Sequence, residues 1–127
     1  MKKIVETSNA PAPIGPYNQA IRAGNMLFTS GQIAIDPKTG ELVTSSIEAE
    51  ANLVMKNLKA VLDEAGFTFE NVVKSSIFLS RMELFNKVNE IYGAYFDPKT
   101  APARETVAVQ TLPKHVNVEI SVIAIKS

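Results

Sequence analysis

Two charged residues lie inside otherwise apolar, strand-like segments near the C-terminus. Arg104 opens one segment directly after Pro102-Ala103, and Glu119 lies between Val118 and Ile120 in the next. A planar guanidinium can bind a carboxylate through two parallel hydrogen bonds, and a glutamate can orient a water molecule or relay protons. A strand-to-strand ion pair is the purely structural alternative. The spacing alone leaves both interpretations open.

Strand alternation indicates which side chains accompany these two residues. Thr106 shares one side of its strand with Arg104, whereas Glu105 points to the other side. Because the turn between the two segments is short, we expect them to be antiparallel neighbours. That arrangement would bring Arg104 and Glu119 near each other.

Several other chemistries are excluded by residue counts. The chain has no cysteine, and His115 is its only histidine. Disulfides, thiolate catalysis and cysteine or multi-histidine metal sites are therefore ruled out. No phosphate-binding glycine pattern or nucleophile-elbow serine occurs. The 13 Lys and Arg residues balance the 13 Asp and Glu residues, so no net field attracts nucleic acid or an anionic membrane. A magnesium site built only from carboxylates stays open, although no motif indicates one.

The elements that must position these residues follow from apolar periodicity. The 127 residues fit one domain, 1–127. Helical spacing marks Ile47–Ala65, with Ser45 and Ser46 as candidate N-caps and Gly66 as the stop signal. The order strand, strand, strand, helix, strand, helix, strand, strand predicts an α+β fold with both helices on one face of a mixed sheet. The second helix is expected near 83–96, and the strands near 3–6, 17–22, 26–35, 72–79, 104–111 and 116–125.

Two helices cover only one face of such a sheet, and the last predicted strand is apolar on both sides near its end. A bare apolar face predicts self-association. No apolar run of signal-peptide length follows the N-terminal lysines, and none approaches the roughly 20 residues of a membrane helix. We therefore expect a soluble, cytoplasmic protein that forms homo-oligomers.

Two glycine-containing segments could approach a ligand. Gly15-Pro16-Tyr17 leads into a predicted strand, so Tyr17 either anchors a turn or faces a pocket with its ring or hydroxyl. Ser30-Gly31-Gln32 lies inside a predicted strand. A glycine there marks either a bulge or a close backbone approach, in which the Gly31 amide could bind an anion. The sequence favours the bulge.

Six short segments occur in a distinctive order along essentially the whole chain. They are Ala12–Ala20, Phe28–Ile33, Val88–Tyr92, Pro102–Arg104, Leu112–Lys114 and Val118–Ile120. Each segment is weakly specific alone. Together they resemble the RidA (YjgF/YER057c/UK114) family, and the set is highly specific.

The resemblance implies a chorismate-mutase-like (YjgF-like) α+β fold that assembles as a homotrimer, with active sites in the clefts between subunits. It implies hydrolytic deamination of 2-aminoacrylate, 2-iminobutanoate and related imines to 2-keto acids and ammonia. Pyridoxal-phosphate enzymes such as threonine dehydratase release these intermediates. It implies no cofactor or metal, and neither nucleic acid nor membrane as a partner.

The same resemblance assigns roles to individual residues. Arg104 corresponds to the arginine that binds the substrate carboxylate, and Glu119 to the acid that positions the attacking water. Four further residues correspond to positions that line the pocket: Tyr17, Ser30, Gly31 and Asn89. Thr106 stands where many members have cysteine. The backbone amide is the ligand contact at that position, so threonine preserves it.

Two departures from the family pattern bear on the site. Glu105 stands where the family usually has a small residue, and we expect strand alternation to turn it away from Arg104. An inward Glu105 would compete for the guanidinium and repel an anionic substrate. The 97–102 loop also looks shorter than in some members, which affects the pocket rim.

Two other function classes stay open. One is a regulator that binds a keto acid at Arg104 without turning it over. The other is a chaperone or a ribonuclease, roles that the resemblance also suggests. The neutral charge and the lack of basic or aromatic patches argue against RNA binding.

Overall fold

Three strands precede the first helix, and a strand–helix–strand–strand run completes the chain. The computed structural model describes residues 1–127. The strands are β1 (Lys2–Val5), β2 (Ala20–Ala23), β3 (Met26–Thr29), β4 (Val72–Leu79), β5 (Ala103–Ala108) and β6 (Val118–Ile125). The α-helices are α1 (Ile47–Ala65) and α2 (Phe85–Gly93), with short 3-10 helices at Phe69–Asn71, Met82–Leu84 and Pro113–His115. This order confirms the predicted α+β class.

Local signals define both ends of α1. The Ser46 hydroxyl accepts a hydrogen bond from the Ala49 amide (3.1 Å), which satisfies one free donor of the first turn. Gly66 ends the helix in the left-handed conformation (φ 81°), where glycine is favoured. The helix therefore has the predicted bounds, and its apolar stripe is buried against the sheet. That stripe comprises Ala51, Val54, Met55, Leu58, Val61 and Leu62.

The six strands form one mixed sheet in the order β1-β2-β3-β6-β4-β5. Only β4 and β5 run parallel. They are joined by α2, and a helical crossover is the usual connection between parallel neighbours. We predicted that the strands carrying Arg104 and Glu119 are adjacent. This is wrong, because β4 lies between β5 and β6.

β6 shows which face of the sheet the helices cover. Every second residue from Val118 to Ala124 is buried in the core, so the alternate residues, including Glu119, point to the opposite face. We call that opposite side the open face. Strand register aligns a row of apolar side chains across it: Ile4, Ile21, Phe28 and Ile123. Ile4 is 58% exposed and Phe28 is 38% exposed, so the uncovered apolar face predicted from the sequence is present.

The third strand, predicted over 26–35, ends at Thr29. The N–H of Ser30 still donates to the Gln19 carbonyl (2.9 Å), but the pairing with β6 shifts by one residue between Phe28–Ile123 and Gln32–Ile120, which interrupts the ladder. The second strand, predicted over 17–22, begins only at Ala20 and ends at Ala23. Residues 30–35 thus form an irregular segment beside β6.

The predicted second helix, 83–96, divides into a 3-10 turn at Met82–Leu84 and the regular helix α2. The last two predicted strands are shortened to β5 and β6. Neither α-helix combines the length and the hydropathy that a membrane-spanning helix needs.

Candidate active site

Arg104 lies on β5, at one edge of the sheet, and its side chain points toward α2. Its register partner on β4 is Ser75, which is fully buried. The guanidinium carbon lies 5.5 Å from the ring centroid of Phe85 and 5.2 Å from that of Tyr92, and Nη1 donates to Oδ1 of Asn89 (2.6 Å). These three α2 residues follow the i, i+4, i+7 pattern, so one helix face holds the guanidinium. We call this group, with Thr106, the arginine site.

No carboxylate of the chain neutralises Arg104. The ion pairs present are Lys59–Asp63, Lys74–Glu105 and Lys87–Glu48. Arg104 faces the helices, whereas Glu119 lies on the open face, so the ion pair that the spacing allowed does not form. A guanidinium with one amide and two aromatic neighbours keeps N–H donors available for an anion.

Thr106 shares the Arg104 side of β5. The N–H of Val109 donates to the Leu79 carbonyl on β4 (2.9 Å). Because successive amides of a strand alternate in direction, the amides of Arg104 and Thr106 face the free edge of the sheet. The Thr106 hydroxyl is buried and has no hydrogen-bond partner. The Thr106 amide therefore points to the free edge of the strand that carries Arg104, and its role as a ligand contact stays a prediction.

Glu119 lines a cavity of about 310 Å³, which we call the glutamate cleft. Its walls come from the N-terminal loop, the irregular segment after β3 and the turn before β6. Its lining includes Ile14, Tyr17, Gly31, Ile33, Lys114 and Glu119. Mostly apolar walls with a few polar groups are typical of a site for a small organic ligand.

Glu119 packs directly against Gly31. A β-carbon at position 31 would lie 2.6 Å from Oε2 of Glu119 and 2.7 Å from its Cδ. Both features considered for this glycine are present: one extra residue lies between the pairs Phe28–Ile123 and Gln32–Ile120, as in the bulge that the sequence favoured, and a side chain approaches the backbone closely. Burial raises the pKa of the Glu119 carboxyl, because the charged form loses hydration. A carboxyl with a raised pKa is better suited to proton exchange with a substrate.

Tyr17 lines the glutamate cleft and is 49% exposed, and its hydroxyl accepts a hydrogen bond from the Ile14 amide (3.3 Å). The Ser30 hydroxyl, next to Gly31, donates to the Asn18 carbonyl (2.5 Å). The predicted site residues therefore divide into two groups. Tyr17, Ser30, Gly31 and Glu119 belong to the cleft region, and Asn89, Arg104 and Thr106 belong to the arginine site.

Buried amide side chains hold two walls of the cleft, and the sequence reasoning did not single them out. Gln19 accepts from the Thr7 amide (2.7 Å) and donates to the Pro11 carbonyl (2.8 Å), which fixes the N-terminal loop. Asn57 of α1 donates to the carbonyls of Ile33 (3.1 Å) and Ile35 (3.0 Å) in the irregular segment. Both side chains replace the backbone pairing that these segments lack.

Glu50 is a third buried polar residue of this kind, and it is fully buried on α1. Its Oε2 accepts from the amides of Asn117 (2.7 Å) and Val118 (3.1 Å), immediately before Glu119. Glu50 and Asn57 lie two turns apart within the apolar stripe of α1. A polar residue within an apolar helical stripe must find a hydrogen-bond partner when it is buried, and this pattern could have indicated that Glu50 and Asn57 bind neighbouring backbone groups.

Glu105 points to the open face, so the strand alternation predicted for it is confirmed. Its carboxylate pairs with Lys74 Nζ (2.8 Å) and accepts a hydrogen bond from Ser76, both on β4. The hydrogen bond from Lys74, followed by that from Ser76, lowers the pKa of Glu105. Glu105 therefore does not compete for Arg104. No group of three or more His, Asp or Glu side chains converges on a metal position.

These features define a class of small α+β protein, with an arginine at a sheet edge that no carboxylate of the chain neutralises, and a cleft lined by Glu119 on the other face of the sheet. Residues 7–126 match the family model described as Endoribonuclease L-PSP. A RutC family protein of Synechocystis is 55% identical over 124 residues, which span 97% of this chain and 95% of that protein.

Solved structures agree with this assignment. A conserved Rid family protein of unknown function from Yersinia pestis is 48% identical, with a TM-score of 0.96 over 99% of this chain and 100% of that one. The E. coli protein TdcF, crystallised with bound serine, is 41% identical, with a TM-score of 0.92 over 98% of this chain and 99% of that one. The chain belongs to the RidA (YjgF/YER057c/UK114) family.

Proposed function

We propose that this protein hydrolyses reactive enamine and imine intermediates, such as 2-aminoacrylate and 2-iminobutanoate, to 2-keto acids and ammonia. The observation that carries the proposal is the Arg104 guanidinium, which is held by aromatic and amide groups and neutralised by no carboxylate. Such a fork binds a carboxylate through two charge-assisted hydrogen bonds. Every substrate of the proposed class has a carboxylate next to its reacting carbon.

We further propose that the active site forms between chains of a homotrimer. Arg104 and Glu119 lie on opposite faces of one sheet, so a single chain cannot offer both to one small substrate. In the proposed site, the arginine site of one protomer meets the glutamate cleft of its partner. The open face supports association, because its apolar side chains have no cover within the chain.

In the proposed reaction, the enamine tautomerises to the imine and water adds to the C=N carbon. Glu119 takes a proton from the attacking water and delivers it to the imine nitrogen, which gives a tetrahedral carbinolamine. The nitrogen is protonated again and leaves as ammonia, and the hydroxyl releases its proton to form the keto acid. Arg104 fixes the carboxylate throughout, so orientation contributes much of the rate. No electron acceptor or metal enters this balance.

The bound serine of TdcF supports a small amino or keto acid as the ligand class, because serine has a carboxylate in the same relation to its α-carbon. A cytoplasmic location, which the sequence predicts, would place the protein beside the pyridoxal-phosphate enzymes that release such imines. That location stays a prediction.

The test is the decay of 2-iminobutanoate that threonine dehydratase generates in situ, followed as ammonia and 2-oxobutanoate release. We expect acceleration by the wild type and by the control Arg81→Ala, which removes an exposed arginine outside both groups. Arg104→Ala should give no acceleration while its sedimentation coefficient stays that of the wild type. A fully active Arg104→Ala protein would refute the assignment.

A keto-acid-binding regulator is the second candidate. It is favoured by the arginine site, whose guanidinium and edge amides belong to one chain and need no Glu119 to bind a carboxylate. Saturable binding of 2-oxobutanoate by a wild-type protein that never accelerates imine decay would support this function. Equal binding by Glu119→Gln would strengthen it further.

RNA cleavage is a third candidate, favoured by the description of the matching family model. The formal net charge of 0 gives no general attraction for a polyanion. Incubation of purified wild type and Glu119→Gln with a mixed-sequence RNA tests it. Cleavage by the wild type that disappears in Glu119→Gln would favour the ribonuclease over the deaminase.

A further inference from the structure

We infer that Phe85 and Tyr92 are positioning residues, which hold the Arg104 guanidinium against two aromatic faces and keep its charge and donors free for a ligand. We call these two rings the aromatic cage. This inference adds two residues to the proposed arginine site, and it depends on the proposed function only for the identity of the ligand.

The geometry of the cage is that of two cation–π contacts. The guanidinium carbon lies over the Tyr92 ring at 5.2 Å and over the Phe85 ring at 5.5 Å, within the roughly 6 Å range of such contacts. Arg104 also donates to Asn89, which lies between the two rings on the same face of α2. The helix thus contacts one guanidinium with three side chains, all of them neutral.

Tyr92 is itself held in place. Its hydroxyl donates to the Ser75 hydroxyl (2.8 Å) in a buried contact, and Ser75 is the β4 register partner of Arg104. The Tyr92 ring also packs on Phe96, with 4.7 Å between the ring centroids. The strand position next to Arg104 therefore fixes the ring that supports its side chain.

An aromatic face stabilises a cation without cancelling its charge, because the attraction comes from the ring quadrupole. A carboxylate in the same place would occupy the N–H fork and repel an anionic substrate. The cage also favours a flat guanidinium over a compact ammonium, since only the former stacks on a ring. It thereby limits the rotamers of Arg104 before any ligand arrives.

The binding test uses 2-oxobutanoate, the stable product of the proposed reaction, titrated calorimetrically into the full-length protein. Phe85→Leu should raise the dissociation constant about three- to tenfold, because one cation–π contact is lost. Phe85→Trp should restore it. Phe69→Leu is the matched control: Phe69 is half-buried and packs on Tyr95 and Phe96, but it has no contact with Arg104.

Kinetics separate positioning from general damage. In the imine assay, Phe85→Leu should raise KM more than it lowers kcat, whereas Phe69→Leu should leave both near wild type. Equal losses in Phe85→Leu and Phe69→Leu, or a Phe85→Leu protein that binds like the wild type, would overturn the inference. Failure of Phe85→Trp to rescue would do so as well.

A spectroscopic readout makes the cage testable even without turnover. The Nε–H proton of Arg104, assigned by its loss in Arg104→Lys, should be shifted upfield by the ring currents and should move downfield in Phe85→Leu. An unshifted signal overturns the cage even in an active enzyme. A shifted signal in a protein without turnover would keep the cage and reject the deaminase.

Discussion

At the scale of single residues, Arg104 and Glu119 occupy opposite electrostatic settings. No carboxylate offsets the charge of Arg104, because the neighbours of its guanidinium are two aromatic rings and an amide. Glu119 loses hydration through burial, which raises the pKa of its carboxyl. One group is thereby prepared to bind an anion and the other to exchange a proton, and the two demands are met by different surroundings.

Gly31→Ala tests the close contact with Glu119. The new β-carbon would lie within 2.8 Å of Glu119 Cγ, so the carboxylate must move. We expect kcat/KM for imine hydrolysis to fall by up to about 100-fold, since a misplacement of about 1 Å can cost that much. Gly93→Ala is the control, since a β-carbon there meets nothing within 4 Å. Full activity of Gly31→Ala would mean that the position of Glu119 is not critical.

Glu119→Gln tests the pKa of this carboxyl through stability. Burial raises the pKa above the usual 4.5, so the folded state binds this proton more tightly than the unfolded chain. The stability contributed by this group is therefore fully present below pH 4.5 and is lost as pH rises through the raised pKa. Denaturant titrations should show Glu119→Gln gaining on the wild type as pH rises. A difference independent of pH would contradict the raised pKa.

At the scale of elements, the sequence predicts best what neighbouring residues decide. α1 has its predicted bounds because Ser46 caps one end and Gly66 stops the other. β4 also has its predicted bounds, since a run of β-branched and aromatic residues marks it. β3 is overpredicted because its pairing with β6 shifts by one residue between Phe28 and Gln32, which interrupts a ladder that the apolar pattern alone suggests to be continuous.

Strand order was the part that the sequence did not determine. A short connection between the last two strands suggested neighbours, yet β5 pairs with β4 and β6 pairs with the other side of β4. The helix α2 connects β4 to β5 and allows them to pair in parallel. β5 therefore pairs with β4 and not with β6, the neighbour expected from the short connection. The alternation of side chains was predictable, so the faces of Glu105 and Glu119 relative to their neighbours came out right.

Glu50→Ala tests how α1 secures the start of β6. The substitution leaves three N–H donors of Asn117 and Val118 without their acceptor. We expect the free energy of unfolding to fall by about 3 kcal/mol or more. Glu48→Ala, on the exposed side of the same helix, should cost far less, since its carboxylate contacts Lys87 at the solvent-exposed surface. Similar losses in urea denaturation would show that Glu50 is not a structural anchor.

At the scale of the whole molecule, the sheet acts as a partition. The helix-covered side carries the arginine site, and the glutamate cleft belongs to the other side, together with the apolar open face. The proposed reaction needs both groups within the length of one small molecule. Assembly of copies is therefore a requirement of the proposed chemistry.

Mixing two inactive variants tests this requirement. Arg104→Ala retains the glutamate cleft, and Glu119→Gln retains the arginine site. After joint refolding at equal amounts, random assembly should return roughly a quarter of the wild-type rate, since each site takes its two halves from different chains. The separate variants, refolded alone, are the controls. If the mixture recovers no activity, then either Arg104 and Glu119 of the same protomer act together, or one of these residues takes no part in the reaction.

In the proposed assembly, the partition by the sheet also makes activity depend on protein concentration. A chain leaving the ribosome has no finished site, and its catalytic output begins only when copies meet. Specific activity should rise with protein concentration and reach a plateau once association is complete, and dilution alone should abolish it by dissociating the oligomer. In a cell, the total activity would then fall more than in proportion to the amount of protein when expression decreases.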